Sequence, residues 1–239
     1  MITLSVTENQ KNEDNLFYVQ STSCDLLSQA GCVARIKSAQ ERSSLTVSCP
    51  EELIGVIRAE IVDKIAEIIT IKYKTEFLRE NLKVGGLSAV EKDILYASLI
   101  AADLDDDKKY TISKINSFNE IAIDGVFNFC LRPLRKKWLD VCECVPNCFL
   151  NSQLKEFIYY LIENKRKTVY IDQGKVYDSH YRRLNRSSLL GGEKAKITRE
   201  VLLSNCGAID INGKIPKEDE FYLKEYYYDK IFFSGNYMN

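Results

Sequence analysis

Basic and aromatic side chains are interleaved between residues 165 and 186. Lysine and arginine neutralise phosphates, and a tyrosine ring offers a flat face on which a base can stack. We therefore interpret this segment either as a surface that binds nucleic acid or as a solvated basic edge. The residues expected to contact nucleic acid adjoin one another in a predicted loop: Tyr181, Arg182, Arg183 and Arg186.

His180 is the only histidine in the chain, which limits the catalytic mechanisms open to it. A Ser/His/Asp or Cys/His nucleophile system would have to use this residue. It lies in the stretch DSHYRRL, whose composition favours an exposed basic loop. The chain also contains neither G-x-G-x-x-G nor G-x-x-x-x-G-K-[ST], the motifs that cradle nucleotide phosphates. We predict no catalytic residues and no cofactor.

Cys142, Cys144 and Cys148 form the densest group of cysteines. A structural zinc site usually has four Cys or His ligands in two pairs, whereas this group supplies three thiols and has no second pair. Helical geometry would also direct Cys142 and Cys144 to different faces. We interpret the group as reduced thiols beside a helix end and predict no metal site.

The acidic run from Asp103 to Asp107 is similar to the start of a calcium-binding loop. Such a loop needs glycine at its sixth position and a bidentate glutamate at its twelfth. This chain has Lys108 and Lys114 at those positions. We expect a solvated acidic loop that ends a helix, without bound calcium.

The composition is that of a globular protein, with 239 residues, 45% of them hydrophobic and 28% charged. The formal net charge of −1 gives no overall attraction to nucleic acid or to an anionic membrane, so any such binding must use a local patch. The N-terminal residues lack the apolar stretch of a signal peptide, and no apolar run approaches the ~18 residues of a membrane span. We expect a cytoplasmic protein whose eight cysteines are reduced.

The periodicity of the apolar residues changes along the chain and predicts an α+β fold in three regions. Residues 1–50 are interpreted as a small α/β unit, 51–166 as a helical region, and 167–239 as a C-terminal α+β unit with a hairpin. No low-complexity linker separates these regions, so we expect that they can pack as one body.

The helical region is predicted to begin near Pro50 with a helix that reaches about Leu82. Its buried face is indicated by apolar residues at steps of three and four. These residues are Ile54, Ile57, Ile61, Ile65 and Ile68.

Three more helices are predicted in this region. Ser88 and Glu91 have the spacing of a capping box and should begin a helix that ends near Leu104. The next helix is expected over 111–131, where Pro133 should bend or break it. Another begins at about residue 151. Apolar residues on the last two are predicted to share one core: Phe127, Phe129, Leu131, Phe157 and Leu161.

The period becomes two near Lys167, which is typical of strands. Residues 168–172 and 175–178 are predicted to form a hairpin around Gln173 and Gly174, because glycine tolerates the positive φ of a tight turn. The predicted elements that follow are helix 193–204, strand 208–211, helix 218–228 and strand 230–234.

The segment 119–178 resembles the YtxC-like sporulation proteins of spore-forming bacteria. The residues that carry this resemblance are the stretch IDGVFNFCLRPLRKKW from Ile123 to Trp138, the helix LKEFIYYLI from Leu154, and the hairpin TVYIDQGKVYD. Cys130 stands where the family pattern favours arginine. The resemblance implies an intracellular, sporulation-linked context and no established activity, so no catalytic residue is transferred from it.

We therefore expect a cytosolic protein that acts through an unknown protein partner. The alternative hypothesis is a nucleic-acid-binding module that uses segment 165–186. An enzyme is the third hypothesis, which a deep pocket lined by several carboxylates, or by Cys142 and Cys148, would favour. Neither the identity of a partner nor the oligomeric state follows from the sequence.

Overall fold

Leucine, valine and cysteine alternate with serine and threonine in residues 43–49, and this alternation produces a strand with one buried face. In the computed structural model, which describes residues 1–234, this strand lies in a mixed sheet with the order β2-β3-β1-β4. β1 pairs with β3 antiparallel and with β4 parallel. We call this the first sheet, and its strands are β1 (Ile2–Asn9), β2 (Val33–Ser38), β3 (Arg42–Cys49) and β4 (Ile121–Ala122).

The second sheet has the order β7-β6-β5-β8-β9. The turn between β5 and β6 has positive φ at Gln173 (47°) and Gly174 (75°), as a two-residue hairpin requires. The predicted hairpin is therefore confirmed. β5 also pairs in parallel with β8, and β8 with β9. The strands are β5 (Thr168–Asp172), β6 (Lys175–Tyr177), β7 (Arg183–Leu184), β8 (Ala208–Asn212) and β9 (Ile231–Phe233).

Helices and strands follow one another along the chain in both sheets' regions, so the predicted α+β fold class is confirmed. Two α-helical stretches continue into π-helical turns, at Ile68–Tyr73 and Val126–Cys130. A 3₁₀ turn, Arg186–Leu190, follows β7. The α-helices are α1 (Asp14–Thr22), α2 (Cys24–Gln29), α3 (Ile54–Glu67), α4 (Lys74–Asn81), α5 (Ala89–Ile115), α6 (Ile123–Gly125), α7 (Arg132–Cys144), α8 (Asn151–Ile162), α9 (Lys196–Leu203) and α10 (Lys217–Tyr227).

The chain divides into two compact units. The first unit contains residues 1–73 and 105–137, and with them the first sheet. The second unit contains residues 74–104 and 138 onward, and with them the second sheet. The sequence predicted boundaries after residues 50 and 166, where the periodicity of the apolar residues changes. These boundaries stay a prediction.

The predicted helix over 111–131 is wrong, and so is the acidic loop before it. α5 runs without interruption from Ala89 to Ile115, and residues 103–107 are part of it. Asp107 is buried rather than solvated, and its carboxylate accepts a hydrogen bond from Lys137 Nζ at 2.9 Å. The ion pair between Asp107 and Lys137 stabilises the helix at this point. Residues one turn away along the helix do the same for the other carboxylates, although the acidic run by itself suggested a loop.

The capping box is confirmed. The amide of Ser88 donates to Glu91 Oε2 at 2.7 Å, and the amide of Glu91 donates to Ser88 Oγ at 3.3 Å. The break predicted at Pro133 is also present. A new helix, α7, begins at Arg132, and Pro133 lies in its first turn. A missing N–H has no cost at that position.

The single predicted core of five apolar residues is wrong. Phe127 and Leu131 belong to the first unit, whereas Phe157 and Leu161 belong to the second. Phe129 is 74% exposed, because the π-helical turn shifts the face on which its side chain lies. Among these five residues, only Leu131 is fully buried.

Candidate nucleic-acid interface

The outer face of the second sheet carries the residues best suited to bind a ligand. Along β5, Val169 and Ile171 are buried, and the alternate residues lie on the opposite face. The pairing register extends that face across the neighbouring strands, because paired residues share a face. We define the outer face by Thr168, Tyr170, Asp172, Lys175, Tyr177, Arg183, Asp210 and Phe232.

Three tyrosines form a cluster on this face, which we call the tyrosine platform: Tyr170, Tyr177 and Tyr181. The ring of Tyr181 stacks on that of Tyr170, with centroids 5.1 Å apart and planes at 25°. It also lies against Tyr177, with a centroid distance of 5.9 Å. Tyr181 remains 66% exposed, so most of its surface faces solvent.

The loop that holds Tyr181 is ordered by one carboxylate. Asp178 Oδ1 accepts hydrogen bonds from the amides of His180 (2.8 Å) and Arg182 (2.9 Å). The Asp178 carbonyl also accepts from the Tyr181 amide at 3.0 Å. Tyr181 has a φ of 58°, a left-handed conformation that costs a non-glycine residue about 1–2 kcal/mol. The hydrogen bonds of Asp178 offset this strain and keep the ring on the platform.

The three predicted arginines occupy different environments. Arg182 and Arg183 are exposed beside the platform, and Arg183 pairs with Tyr177 across the sheet. Arg186 is half-buried, and its Nε lies 3.4 Å from Glu200 Oε1. The structure thus brings Tyr181 and Arg183 to the outer face, leaves Arg182 exposed in the loop between them, and anchors Arg186 near this loop.

A pocket of about 290 Å³ adjoins the platform. Sequence reasoning did not assign it, although Thr168 lies two residues before Tyr170 and therefore on the same face of β5. Its other lining residues come from the 178–182 loop, the 3₁₀ turn and the end of α9. The lining residues are Lys167, Thr168, Val169, Asp178, Ser179, His180, Leu184, Arg186 and Ser204.

The carboxylates of this region are used within the chain. Asp172 accepts a hydrogen bond from Asn212 Nδ2 at 2.9 Å, and Asp210 accepts one from Ser234 Oγ. Asp178 orders its own loop. The donors of these hydrogen bonds are neutral, so they fix the orientation of the three carboxylates and leave their negative charge.

The cysteine group does not form a comparable site. Cys142 is buried, and burial raises the pKa of its thiol, which favours the unreactive neutral form. It lines a pocket of about 360 Å³ with Glu143 as the one carboxylate, while Cys144 and Cys148 are exposed. Across residues 1–234, no group of three or more His, Cys, Asp or Glu side chains is arranged to hold a metal.

Arg199 is a buried charge that the sequence did not reveal. Its Nη1 donates to the carbonyl of Gly191 at 2.6 Å and its Nη2 to that of Gly192 at 2.8 Å. Both glycines have positive φ, 68° at Gly191 and 70° at Gly192, as a tight turn requires. Burial lowers the pKa of the guanidinium, and its contacts assign it to holding this turn rather than a ligand.

No family model, curated protein or solved structure matches this chain. The resemblance to YtxC-like sporulation proteins therefore stays a prediction. Within the described residues, every helix is too short or too polar to cross a lipid bilayer.

Proposed function

We propose that this protein binds single-stranded nucleic acid through the outer face of its second sheet. The observation that carries this proposal is the exposed ring of Tyr181, stacked on Tyr170 and adjoining two exposed arginines. A base can extend this stack by one layer while Arg182 and Arg183 neutralise neighbouring phosphates.

A single strand fits this surface better than a duplex does. Stacking on tyrosine requires a base whose flat face is accessible, and base pairing and stacking within a duplex hide that face. Aromatic residues on an open sheet are a common platform for such bases. Stacking also tolerates every base, so we expect little sequence preference.

Local rather than global charge must provide the electrostatic part of binding, because the net charge of the chain is −1. Each phosphate neutralised in a single strand contributes about −0.7 to the slope of log affinity against log salt concentration. Two arginine contacts therefore predict a slope of roughly −1.4 from this pair. Affinity should be highest at low salt.

The test is fluorescence anisotropy with a labelled single-stranded RNA and DNA of mixed sequence at low salt. Tyr181→Ala should weaken binding by about 5- to 150-fold, since losing one base–aromatic stack costs roughly 1–3 kcal/mol. Tyr160→Ala is the matched control, because Tyr160 is 73% exposed in the same unit but lies on α8. It should leave affinity unchanged.

The charge contribution is tested separately. Replacing Arg182 and Arg183 by alanine should reduce the salt slope by about 1.4 without lowering the thermal midpoint, because both side chains are exposed. Absence of any anisotropy change with the unmodified protein at low salt would overturn the proposal. Equal loss of affinity in Tyr181→Ala and Tyr160→Ala would also contradict it.

Our second proposal is that the protein binds a protein partner in a cytoplasmic, sporulation-linked context. It is supported by exposed aromatic residues around α8 and α10, which pack on each other through an ion pair between Lys155 and Glu225 at 2.9 Å. Exposed aromatics are enriched at protein interfaces. These residues are Tyr159, Tyr160, Phe221 and Tyr228.

This proposal is tested by affinity capture from sporulating cells of a spore-forming bacterium. A partner that binds these helices should be lost in the double variant Tyr160→Ala, Phe221→Ala and retained by Tyr181→Ala. A captured protein that all variants retain equally would count against these helices as the binding surface.

A further inference from the structure

The pocket beside the tyrosine platform has the chemistry of a phosphate site. Lys167 and Arg186 supply positive charge, and the hydroxyls of Thr168 and Ser179 with the His180 imidazole supply hydrogen-bonding groups. The carboxylate of Asp178 also lines the pocket, and its Oδ1 already accepts from the amides of His180 and Arg182. Phosphate oxygens accept several hydrogen bonds at once, so convergent donors of this kind suit them. The residues that we expect to contact the phosphate are Lys167, Thr168, Ser179, His180 and Arg186. The Ser204 hydroxyl lines the pocket but already donates to the carbonyl of Val201.

Glu200 orients the guanidinium of Arg186, whose remaining N–H groups can donate into this pocket. Glu200 accepts from Arg186 Nε through Oε1 and from the Ser187 amide, at 2.5 Å, through Oε2. Glu200 is itself buried, so the orientation of the guanidinium is fixed from behind. Within residues 1–234, the two Nη nitrogens of Arg186 have no hydrogen-bond partner, and they remain for an anionic ligand.

The position of the pocket relates it to the platform at two points. Thr168 and Tyr170 are alternate residues of β5, so they lie on one face roughly 6.6 Å apart. His180 directly precedes Tyr181 in the loop. Val169 and Leu184 also line the pocket and belong to the buried face, so the pocket lies at the ends of the strands beside the outer face. A nucleotide whose base stacks on Tyr181 would reach the pocket past His180, with its sugar between the base and the phosphate.

We infer that this pocket binds a terminal phosphate, so that the protein recognises the phosphorylated end of a single strand. This inference rests on the proposed function. A pocket of about 290 Å³ is at the lower limit for ligand sites and accommodates a phosphate with its sugar rather than a continuing strand. A terminal phosphate monoester also carries about −1.5 to −2 charges, more than an internal diester, and so gains more from two cations.

The decisive experiment compares three labelled oligonucleotides of one sequence, with a 5′-phosphate, a 3′-phosphate or hydroxyl groups at both ends. One phosphorylated form should bind the unmodified protein about tenfold more tightly than the hydroxyl form, as charge-assisted hydrogen bonds predict. Lys167→Gln should remove this preference. Lys214→Gln is the matched control, because Lys214 is an exposed lysine of the same unit that lies outside both the pocket and the outer face, and it should retain the preference.

The outcomes separate this inference from the function on which it rests. If all three oligonucleotides bind equally and Tyr181→Ala weakens them alike, the inference is overturned and the platform stands. If none binds, both fail. Competition by inorganic phosphate that abolishes the preference, but leaves binding of the hydroxyl form intact, supports a phosphate site distinct from the stacking site. The comparison of ligands uses the unmodified protein, so it remains decisive even if a variant fails to fold.

Discussion

The two sheets of this protein each bury one face, but they expose different side chains on the other. The outer face of the first sheet is rich in hydroxyl groups, some of which bond within the sheet: Thr7 Oγ1 accepts from Arg42 Nη2 at 3.2 Å, and Ser44 Oγ donates to the Lys37 carbonyl at 3.5 Å. The outer face of the second sheet has three tyrosines and a phenylalanine. The hydroxyl residues of the first sheet are Thr3, Ser5, Thr7, Ser44, Thr46 and Ser48.

This difference separates a hydroxyl-rich face from the aromatic face that we propose binds nucleic acid. Serine and threonine bury little apolar area, so the first sheet loses no hydrophobic stabilisation by facing water. An exposed tyrosine ring forgoes that stabilisation, and the left-handed backbone of Tyr181 adds strain. The hydrogen bonds of Asp178 offset the strain, and the exposed ring of Tyr181 is the feature that supports the proposed binding function.

The inner faces differ as well. The second sheet buries apolar residues, whereas the first also buries the carboxylate of Glu8. That carboxylate accepts hydrogen bonds from Asn15 Nδ2 (2.9 Å), Tyr73 Oη (2.9 Å) and the amide of Asn9 (2.7 Å). Desolvation raises its pKa above the ordinary value, despite these donors. The first unit therefore contains a titratable group in its core.

The largest expected effect comes from the buried faces, where the sheets should behave alike. Leu45→Ala in the first sheet and Ile171→Ala in the second each remove a fully buried side chain. Each should lower the free energy of unfolding by about 2–5 kcal/mol, measured by urea denaturation. Thr46→Ala, on the outer face, should change it by less than about 0.5 kcal/mol. If only one of these two variants lost little unfolding free energy, the buried faces of the two sheets would not contribute equally to stability.

The next effect concerns the close approach of two segments at the start of the second sheet. Gly207 lies so near the backbone of Lys165 that an added Cβ would be 2.6 Å from the Lys165 carbonyl carbon and closer still to its oxygen. Backbone atoms cannot rotate away, so Gly207→Ala should destabilise by about 1–3 kcal/mol or more. The Gly207 amide donates to the carbonyl of Lys167, which lines the pocket beside the platform. Distortion at Gly207 should therefore lower nucleic-acid affinity as well as stability. Unchanged thermal unfolding would contradict this packing.

A smaller effect, the pH dependence of the unfolding free energy, should distinguish the buried face of the first sheet from that of the second. Because the pKa of Glu8 is raised, the folded state binds its proton more tightly than the unfolded state does. The contribution of Glu8 to stability is therefore greatest below the ordinary pKa of glutamate and is lost as pH rises through the raised value. The unfolding free energy of the unmodified protein minus that of Glu8→Gln should fall between about pH 4 and pH 8. Denaturation across this range checks it, and a difference that rises with pH would refute the burial argument.

The smallest effect has the opposite sign. Gly55 lies in the first turn of α3, and an added Cβ would meet no atom within 4 Å. Gly55→Ala should therefore raise the free energy of unfolding by about 0.5–1 kcal/mol, because alanine has less backbone entropy to lose in a helix. A rise in the midpoint of thermal unfolding is the measurement. Destabilisation would show that the start of α3 is more crowded than the structure indicates.

Local patterns in the sequence predicted much of the fold. The capping box at Ser88 and Glu91, the turn at Gln173 and Gly174, and the strands predicted at 168–172, 175–178 and 208–211 are each confirmed, the strands to within one residue at their ends. These features depend on residues at most four positions apart, so the sequence contains all the information needed. The candidate loop at Tyr181 was found for the same reason, because its cations and its ring are neighbours in the chain.

Contacts between distant residues decided what local patterns missed. The helix across residues 103–107 is stabilised by Lys137, thirty positions away from Asp107, and the carboxylate of Glu8 is buried by Tyr73, sixty-five positions away. The platform depends on the same kind of contact, since β8 and β9 extend the sheet on which Tyr170 lies.

The sequence by itself determined the fold class, the hairpin and the chemical types of the candidate binding residues. Only the tertiary structure decided that Tyr181 stacks on Tyr170, that Glu200 holds Arg186, and that Thr168 and Ser204 line the same pocket. The physical reason is that backbone propensity acts within a few residues, whereas the burial and partners of a side chain depend on which segments pack against it.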